Sequence, residues 1–194
     1  MKNILEKILL KYDVFILDQW GVIHDGKNKY YGIDKFLNIL NEYKKKIILL
    51  SNSSQNKINM INETLIPLGF NKNLFKDIIS SGEILNLVKK GKIKNKLFEI
   101  LNYKDCYVIS NKNDLKNIDL LGIKNMSIDK AKFILAMSIT PNKSSNEIKK
   151  IVNKINKYNI PIICTNPDKY VIDALTKNKT YQVGFLINKL NNKK

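Results

Sequence analysis

Residues 13–26, D-V-F-I-L-D-Q-W-G-V-I-H-D-G, form the stretch that decides the fold. Its apolar run, residues 14–17, ends in the carboxylate of Asp18, and the chain then turns at Gly21. A short continuous apolar run between turn signals is typical of a buried strand in a parallel sheet. Ligands of open α/β sheets bind just beyond the carboxyl ends of such strands. Asp18 therefore lies where a nucleophile or a metal ligand would lie.

Two further apolar runs also end in polar residues. Residues 47–50 precede S-N-S at 51–53, and residues 161–164 precede T-N-P-D at 165–168. A hydroxyl and an amide at a strand end, followed at once by a helix N-terminus, form a phosphate cradle. A carboxylate facing that cradle either attacks phosphorus or holds magnesium. The alternative interpretation is an aspartate that caps a turn beside an ordinary Ser-Asn helix cap.

The hydrophobic pattern along the rest of the chain alternates strands with helices and predicts an α/β protein with a doubly wound parallel sheet. No internal repeat is visible, and no linker is long enough to separate independent domains. The predicted strands are residues 14–17, 47–50, 78–81, 106–110, 133–138 and 161–164. The predicted helices are residues 1–11, 33–43, a segment capped by Ser53 or Ser54 that runs to about 65, 83–90, a helical turn at 114–121, a segment capped by Ser144 or Ser145 that runs to about 158, and 182–194.

Composition places the chain among ordinary globular proteins. Its 194 residues are 44% hydrophobic and 26% charged, which suits one domain or one domain with a sizeable insertion. No apolar run approaches the roughly 18 residues that a membrane span needs. The N-terminal segment resembles a targeting peptide, but Glu6 interrupts it and no small-residue cleavage site follows. We therefore expect an opening helix, a cytoplasmic protein and no membrane partner.

The net charge of +17 raises the possibility of a nucleic-acid partner. All 34 basic residues are lysine, however, and they are scattered along every predicted helix. Arginine is the preferred residue for bidentate contacts to guanine and phosphate, so the pattern argues against nucleic-acid binding. Cys106 and Cys164 are expected to be reduced core residues, and the single His24 excludes a histidine-based metal site.

Four segments together resemble the haloacid dehalogenase-like superfamily, subfamily IIA, in the branch with Trp two positions after the nucleophile. Residues 13–26 are similar to its first motif, and I-I-L-L-S-N-S-S at 47–54 is similar to its second. I-S-S-G-E at 79–83 resembles the T-S-G-E segment of that subfamily, and I-C-T-N-P-D at 163–168 resembles its T-N-P-D segment. The four follow one another in the order and spacing of the family and cover almost the whole chain.

The resemblance implies a Rossmann-like core with an inserted α/β cap. The core would begin at residues 1–81, the cap would occupy 82–178, and 179–194 would return to an incomplete core. The implied activity is Mg²⁺-dependent phosphatase chemistry on a small phosphorylated metabolite. The sequence leaves the oligomeric state open, and a homo-oligomer is one option.

The resemblance also implies roles for individual residues. Asp18 would be the nucleophile and a metal ligand, and the backbone carbonyl of Trp20 would be the second metal ligand. Phosphate or substrate contacts would come from a larger set of residues at the strand ends. These are Ser51, Asn52, Ser53, Ser81, Gly82, Asn166 and Asp168.

Two departures from the family pattern qualify the implied activity. Trp20 occupies the position of the usual general acid. His24 and Asp25 are nearby candidates for that role, and the alternative is that their side chains only form hydrogen bonds within the turn. No Gly-Lys-Pro lysine and no later acidic pair follow, so we expect a truncated version of a longer protein. The alternative function is a catalytically impaired relative that binds a phosphorylated ligand without turning it over.

Overall fold

The computed structural model describes residues 2–111, 115, 118–119, 121–139, 144–172 and 178–191. The chain divides into two compact units. The first comprises Met1–Ser51 and Lys57–Ser80, and the second comprises Asn52–Asn56 and Ser81–Lys194. Each unit contains a parallel sheet with helices, which confirms the predicted α/β class. Within the described ranges, no helix combines the length and apolar character needed to cross a membrane.

The first unit is built on a three-stranded parallel sheet of order β1-β2-β3. Its strands are β1 (Val14–Asp18), β2 (Lys46–Ser51) and β3 (Asp77–Ser80). Its helices are α1 (Lys2–Lys11), α2 (Ile33–Glu42) and α3 (Lys57–Met60), which continues as a π-helical turn over Ile61–Leu65; a 3₁₀ turn follows at Lys72–Leu74. Its core includes the fully buried residues Ile23, Leu37, Leu40, Ile47, Leu49, Met60 and Leu65.

Strand β1 lies at an edge of this sheet, which corrects the expectation of a buried strand. Val14 is 45% exposed and Ile16 is 62% exposed, whereas the strand's other apolar side chains, Phe15 and Leu17, are half-buried against the core. A continuous apolar run does indicate a parallel strand, but it carries no information on how many strands flank it. The prediction of the strand was therefore right and the prediction of its burial was wrong.

The second unit has a four-stranded parallel sheet of order β5-β4-β6-β7 and a two-stranded antiparallel hairpin, β8-β9. The sheet strands are β4 (Asp105–Ile109), β5 (Lys124–Asn125), β6 (Phe133–Ala136) and β7 (Ile162–Cys164), and the hairpin strands are β8 (Tyr170–Ile172) and β9 (Lys179–Tyr181). The helices are α4 (Ser81–Lys89), α5 (Leu97–Leu101), α6 (Ser145–Ile155) and α7 (Val183–Asn191).

Strand β6 is the centre of the second unit, because all four of its residues are buried. Its alternating side chains belong to two apolar clusters. Phe133 and Leu135 pack with one cluster, and Ile134 and Ala136 pack with the other. Since successive side chains of a strand point to opposite faces, the sheet separates two cores. An uninterrupted apolar run is what a strand covered on both faces requires.

The helix boundaries show where local signals were sufficient. Ser144 caps α6 in a capping box with Glu147, which confirms the predicted start. Ser53 instead accepts a hydrogen bond from the N–H of Gln55 within a turn, and the helix begins only at Lys57. Half of the predicted helical turn at 114–121, namely residues 114, 116, 117 and 120, lies outside the described residues. The short elements β5, α5 and the β8-β9 hairpin were not predicted.

Both cysteines are free, as predicted. Cys106 is buried in the second unit and Cys164 is half-buried. Burial raises the pKa of the Cys106 thiol to about 12, so this side chain behaves as a small apolar residue and not as a nucleophile.

The capping box of α6 generates a stability prediction. We expect Ser144→Ala to lower the free energy of unfolding by about 1 kcal/mol, because the first-turn N–H groups lose their acceptor. The matched control is Asn146→Ala, an exposed position in the same turn, which should be neutral or slightly stabilising. Urea unfolding followed by far-UV circular dichroism measures both. Equal losses in the two variants would contradict the capping role.

Candidate active site

The carboxyl ends of the three strands of the first unit lie side by side. In the parallel register Asp18 of β1 pairs with Leu50 of β2, and Ser51 pairs with Ser80 of β3. Asp18 and Ser51 are therefore on neighbouring strands, one position apart. Asp18 is exposed, Ser51 is half-buried and Ser80 is buried. The structure thus places an accessible carboxylate and a strand-end serine on neighbouring strands at the same edge of the sheet, as expected from parallel pairing.

The Asp18 carboxylate is oriented by its own backbone. The N–H of Gln19 donates a hydrogen bond of 2.7 Å to Asp18 Oδ1. This hydrogen bond restricts the rotation of the carboxylate, because it holds one of the two oxygens against the backbone.

A tight loop follows β1 and is stabilised by backbone hydrogen bonds. The carbonyl of Gln19 accepts the N–H of Ile23 at 3.0 Å, and the carbonyl of His24 accepts the N–H of Gly21 at 2.9 Å. Gly21 has a φ of +84°, a left-handed conformation that glycine adopts without strain. The sharp turn after Asp18 therefore has a direct backbone cause.

Trp20 packs over Gly26 and is 48% exposed. A Cβ added to Gly26 would lie 2.3 Å from carbons of the Trp20 ring, and the φ of Gly26 is +93°. The ring also meets His24 edge-on, with centroids 5.9 Å apart. Only glycine suits position 26, since both its backbone conformation and the indole exclude a side chain.

Neither His24 nor Asp25 is arranged as a general acid. The Asp25 carboxylate accepts the N–H groups of Asn28 and Lys27, and these hydrogen bonds hold its pKa below the ordinary value. His24 is 2% exposed, and its burial lowers the pKa of its imidazole. Its Nδ1 accepts the N–H of Gly26, so the proton of the neutral ring is on Nε2. Both side chains satisfy the turn.

The remaining predicted residues belong to the second unit, which brings them into two connected segments. Asn52 Nδ2 donates to Asp168 Oδ2 at 3.2 Å, and the N–H of Asp168 donates to Asn166 Oδ1 at 2.9 Å. The N–H of Gly82, which follows Ser81 in the first turn of α4, donates to the carbonyl of Ser53. The hydrogen bond between Asn52 and Asp168 therefore links residues of the second unit that are 116 positions apart in the sequence.

Sequence reasoning missed three structural features. Two lie in the loop after β1 and one lies in the second unit. Gln19 Nε2 and His24 Nε2 are buried without a hydrogen-bond partner among the described residues. Gly184 is the third, because a Cβ there would lie 2.0 Å from the carbonyl oxygen of Pro167. A glycine inside an apolar helical pattern signals such a close approach, and position 184 carried that signal.

The donor set for a cation at Asp18 is small. Within the part of the chain that the structure describes, no group of three His, Cys, Asp or Glu side chains could hold a metal ion. Mg²⁺ usually keeps several waters and is held by one or two carboxylates together with substrate phosphate. The Asp18 carboxylate and the Trp20 carbonyl fit a magnesium site with few protein ligands. They are too few for a site in which the protein supplies every ligand.

The packing of Trp20 on Gly26 generates the second prediction. Trp20 is the only tryptophan, so its fluorescence reports on this loop alone. We expect Gly26→Ala to displace the indole, to shift its emission and to destabilise the protein by more than the roughly 1–2 kcal/mol of a left-handed non-glycine residue.

Gly32→Ala is the matched control, because Gly32 has a similar φ of +82° and nothing within 4 Å of an added Cβ. Gly32→Ala should lower the free energy of unfolding only by the cost of the backbone strain, and it should leave the emission of Trp20 unchanged. The interpretation fails if Gly26→Ala behaves like this control in fluorescence and in denaturant unfolding.

Comparison with known proteins identifies the family of the chain. The sequence of residues 15–124, more than half of the chain, matches the family model described as haloacid dehalogenase-like hydrolase. A haloacid dehalogenase-like hydrolase from Brucella suis 1330 has a TM-score of 0.79 at 19% identity, covering 97% of this chain and 65% of that one. No curated protein sequence matches the chain.

Two phosphatase structures share the fold at lower similarity. 4-Nitrophenylphosphatase from Thermotoga maritima has a TM-score of 0.66 at 16% identity, covering 95% of this chain and 66% of that one. Glycerol phosphate phosphatase from Mycobacterium tuberculosis, in complex with magnesium, has a TM-score of 0.62 at 11% identity, covering 95% and 52%. The chain thus spans about two thirds or less of the length of these structures. By its family model, the chain belongs to the haloacid dehalogenase-like hydrolases.

Proposed function

We propose that the chain is a Mg²⁺-dependent phosphatase that hydrolyses a small phosphorylated metabolite through an aspartyl-phosphate on Asp18. The observation that carries the proposal is the exposed, backbone-oriented carboxylate of Asp18 at a parallel strand end, one register position from Ser51. Membership of a hydrolase family supports the reaction type. The phosphatases that share the fold support phosphoryl transfer as its form.

In the proposed reaction, Asp18 Oδ2 attacks phosphorus and the bond from phosphorus to the ester oxygen breaks. The ester oxygen leaves with the bonding electron pair, and water then attacks the aspartyl-phosphate to release phosphate and restore the carboxylate. The N–H of Gln19 on Oδ1 keeps the carboxylate in one orientation during both steps. Ser51, Asn52 and Ser53 hold the phosphoryl oxygens, as the strand-end position of these donors favours.

Magnesium would be held by the Asp18 carboxylate and the Trp20 backbone carbonyl. When bound, it neutralises phosphate charge and so lowers the repulsion between carboxylate and phosphate. We also propose that residues 82–178 form the substrate-selecting cap and that Ser81, Gly82 and the N-P-D turn at 166–168 contribute to it. Cytoplasmic location, the oligomeric state and the lack of a nucleic-acid or membrane partner stay predictions.

A binding protein without turnover is the second candidate function. The observation that favours it is the absence of a prepared proton donor in the loop after Asp18. Trp20 has no acidic proton, and the Asp25 carboxylate accepts backbone hydrogen bonds within its turn. His24 is buried, and its pKa is lowered. General acid catalysis typically contributes roughly 10²–10⁴-fold, so its loss leaves a slow enzyme or a binder.

Replacement of the nucleophile separates these functions. We expect wild type with Mg²⁺ to hydrolyse 4-nitrophenyl phosphate and Asp18→Asn to be slower by more than roughly 10³-fold, because the amide is a poor nucleophile. Asp25→Asn makes the same chemical change in the same loop and should keep the wild-type rate, since its amide oxygen still accepts the turn hydrogen bonds. Equal rates for wild type and Asp18→Asn would remove Asp18 from the mechanism.

The missing acid generates a separate prediction about the leaving group. Without a donor, the leaving oxygen must depart unprotonated. We therefore expect kcat/KM for 4-nitrophenyl phosphate to exceed that for phenyl phosphate by roughly 10²–10⁴-fold, the factor that general acid catalysis would otherwise supply. Trp20→Asp should narrow this ratio by restoring a proton donor. Similar kcat/KM values for the two substrates in wild type would show that another group already acts as the acid, because kcat/KM reports the step in which the leaving group departs.

A further inference from the structure

We propose that Asp168 is a positioning residue that sets the orientation of the Asn52 side-chain amide, and that it does not itself bind phosphate. The geometry is a hydrogen bond of 3.2 Å from Asn52 Nδ2 to Asp168 Oδ2. The two residues are 116 positions apart in the sequence and belong to the same compact unit. The value of this contact for catalysis rests on the proposed function.

The chemistry of the pair determines which way the amide points. An ionised carboxylate only accepts hydrogen bonds, so it selects the NH₂ end of the Asn52 amide. Asn52 Oδ1 is thereby turned away from Asp168, and one N–H of Nδ2 remains for another acceptor. Without Asp168, both orientations of the amide become available, and a phosphoryl oxygen would meet the N–H donor only part of the time.

Charge argues against direct contact between Asp168 and phosphate. Both groups are anionic, and like charges at short distance repel. Asp168 is exposed, so this cost is partly screened, but no attraction replaces it. An acceptor for Asn52 is the role that suits a carboxylate at this place.

Asp168 lies in a constrained turn. Its N–H donates to Asn166 Oδ1 at 2.9 Å, and Pro167 restricts the backbone between them. Helix α7 contacts this turn closely, because a Cβ on Gly184 would lie 2.0 Å from the Pro167 carbonyl oxygen. The carboxylate is therefore attached to a backbone with little freedom.

The segment that carries Asn52 is constrained in the same way. A Cβ on Gly82 would lie 2.0 Å from the carbonyl oxygen of Ser54, and the Gly82 N–H donates to the carbonyl of Ser53 at 3.1 Å. Both residues of the Asn52–Asp168 hydrogen bond thus lie in segments that pack directly against a helix glycine, Gly82 for Asn52 and Gly184 for Asp168. Fixed backbones on both sides favour a persistent side-chain contact over a transient one.

The test combines nuclear magnetic resonance with a double-mutant cycle. The first readout is the ¹⁵N–¹H signal of the Asn52 side-chain amide, which is independent of activity. We expect Asp168→Ala to shift this signal, and Asp168→Asn to shift it less because an amide oxygen still accepts. Asp129→Ala removes an exposed carboxylate elsewhere in the same unit and should leave the signal unchanged. An unchanged Asn52 signal in Asp168→Ala overturns the proposal.

The second readout is kcat/KM for 4-nitrophenyl phosphate in the four proteins of the cycle. We expect the single substitution Asp168→Ala to lower kcat/KM by roughly 2–10-fold, which corresponds to the free energy of one hydrogen bond. In the Asn52→Ala background the same substitution should leave kcat/KM unchanged. Equal losses in both backgrounds would show that Asp168 acts independently of Asn52 and would overturn the proposal. A chain that hydrolyses nothing but still shows the amide shift would refute the proposed function and support the positioning contact.

Discussion

The parallel register between β1 and β2 is the constraint on which the candidate site depends. It pairs Asp18 with Leu50 and so puts Asp18 at the same edge of the sheet as Ser51, the last residue of β2. No long-range ion pair is needed for this arrangement, because backbone hydrogen bonds of the sheet set the spacing. A slip of one residue would turn every side chain of β1, including Asp18, to the opposite face of the sheet.

The loop after β1 determines what the carboxylate can do. Its backbone turns at Gly21, its Gln19 N–H orients Asp18, and Trp20 covers Gly26. These contacts restrict the orientation of the Asp18 carboxylate, and the residue two positions later, Trp20, packs on Gly26. In the reaction that we propose, Asp18 is the nucleophile, and this loop supplies no proton donor for the departing oxygen.

The sequence was sufficient to predict most strands, the family and the position of Asp18 at the end of a strand. Long-range features were harder, because a run such as Val14–Asp18 reports apolar character and not the number of flanking strands. Short elements such as β5, with two residues, contain too little periodicity to be recognised. The Asn52–Asp168 contact joins residues far apart in the chain, so no local pattern could have predicted it.

The central claim is that Asp18 carries the phosphoryl group, and chemical trapping tests it most directly. Borohydride reduces an acyl phosphate to an alcohol, so an aspartyl-phosphate becomes homoserine. The protein is incubated with 4-nitrophenyl phosphate and Mg²⁺, treated with borohydride, digested and sequenced by mass spectrometry. If Asp18 carries the phosphoryl group, homoserine appears at position 18 only when substrate is present. Homoserine at another aspartate, or continued hydrolysis with aspartate intact at position 18, would contradict it.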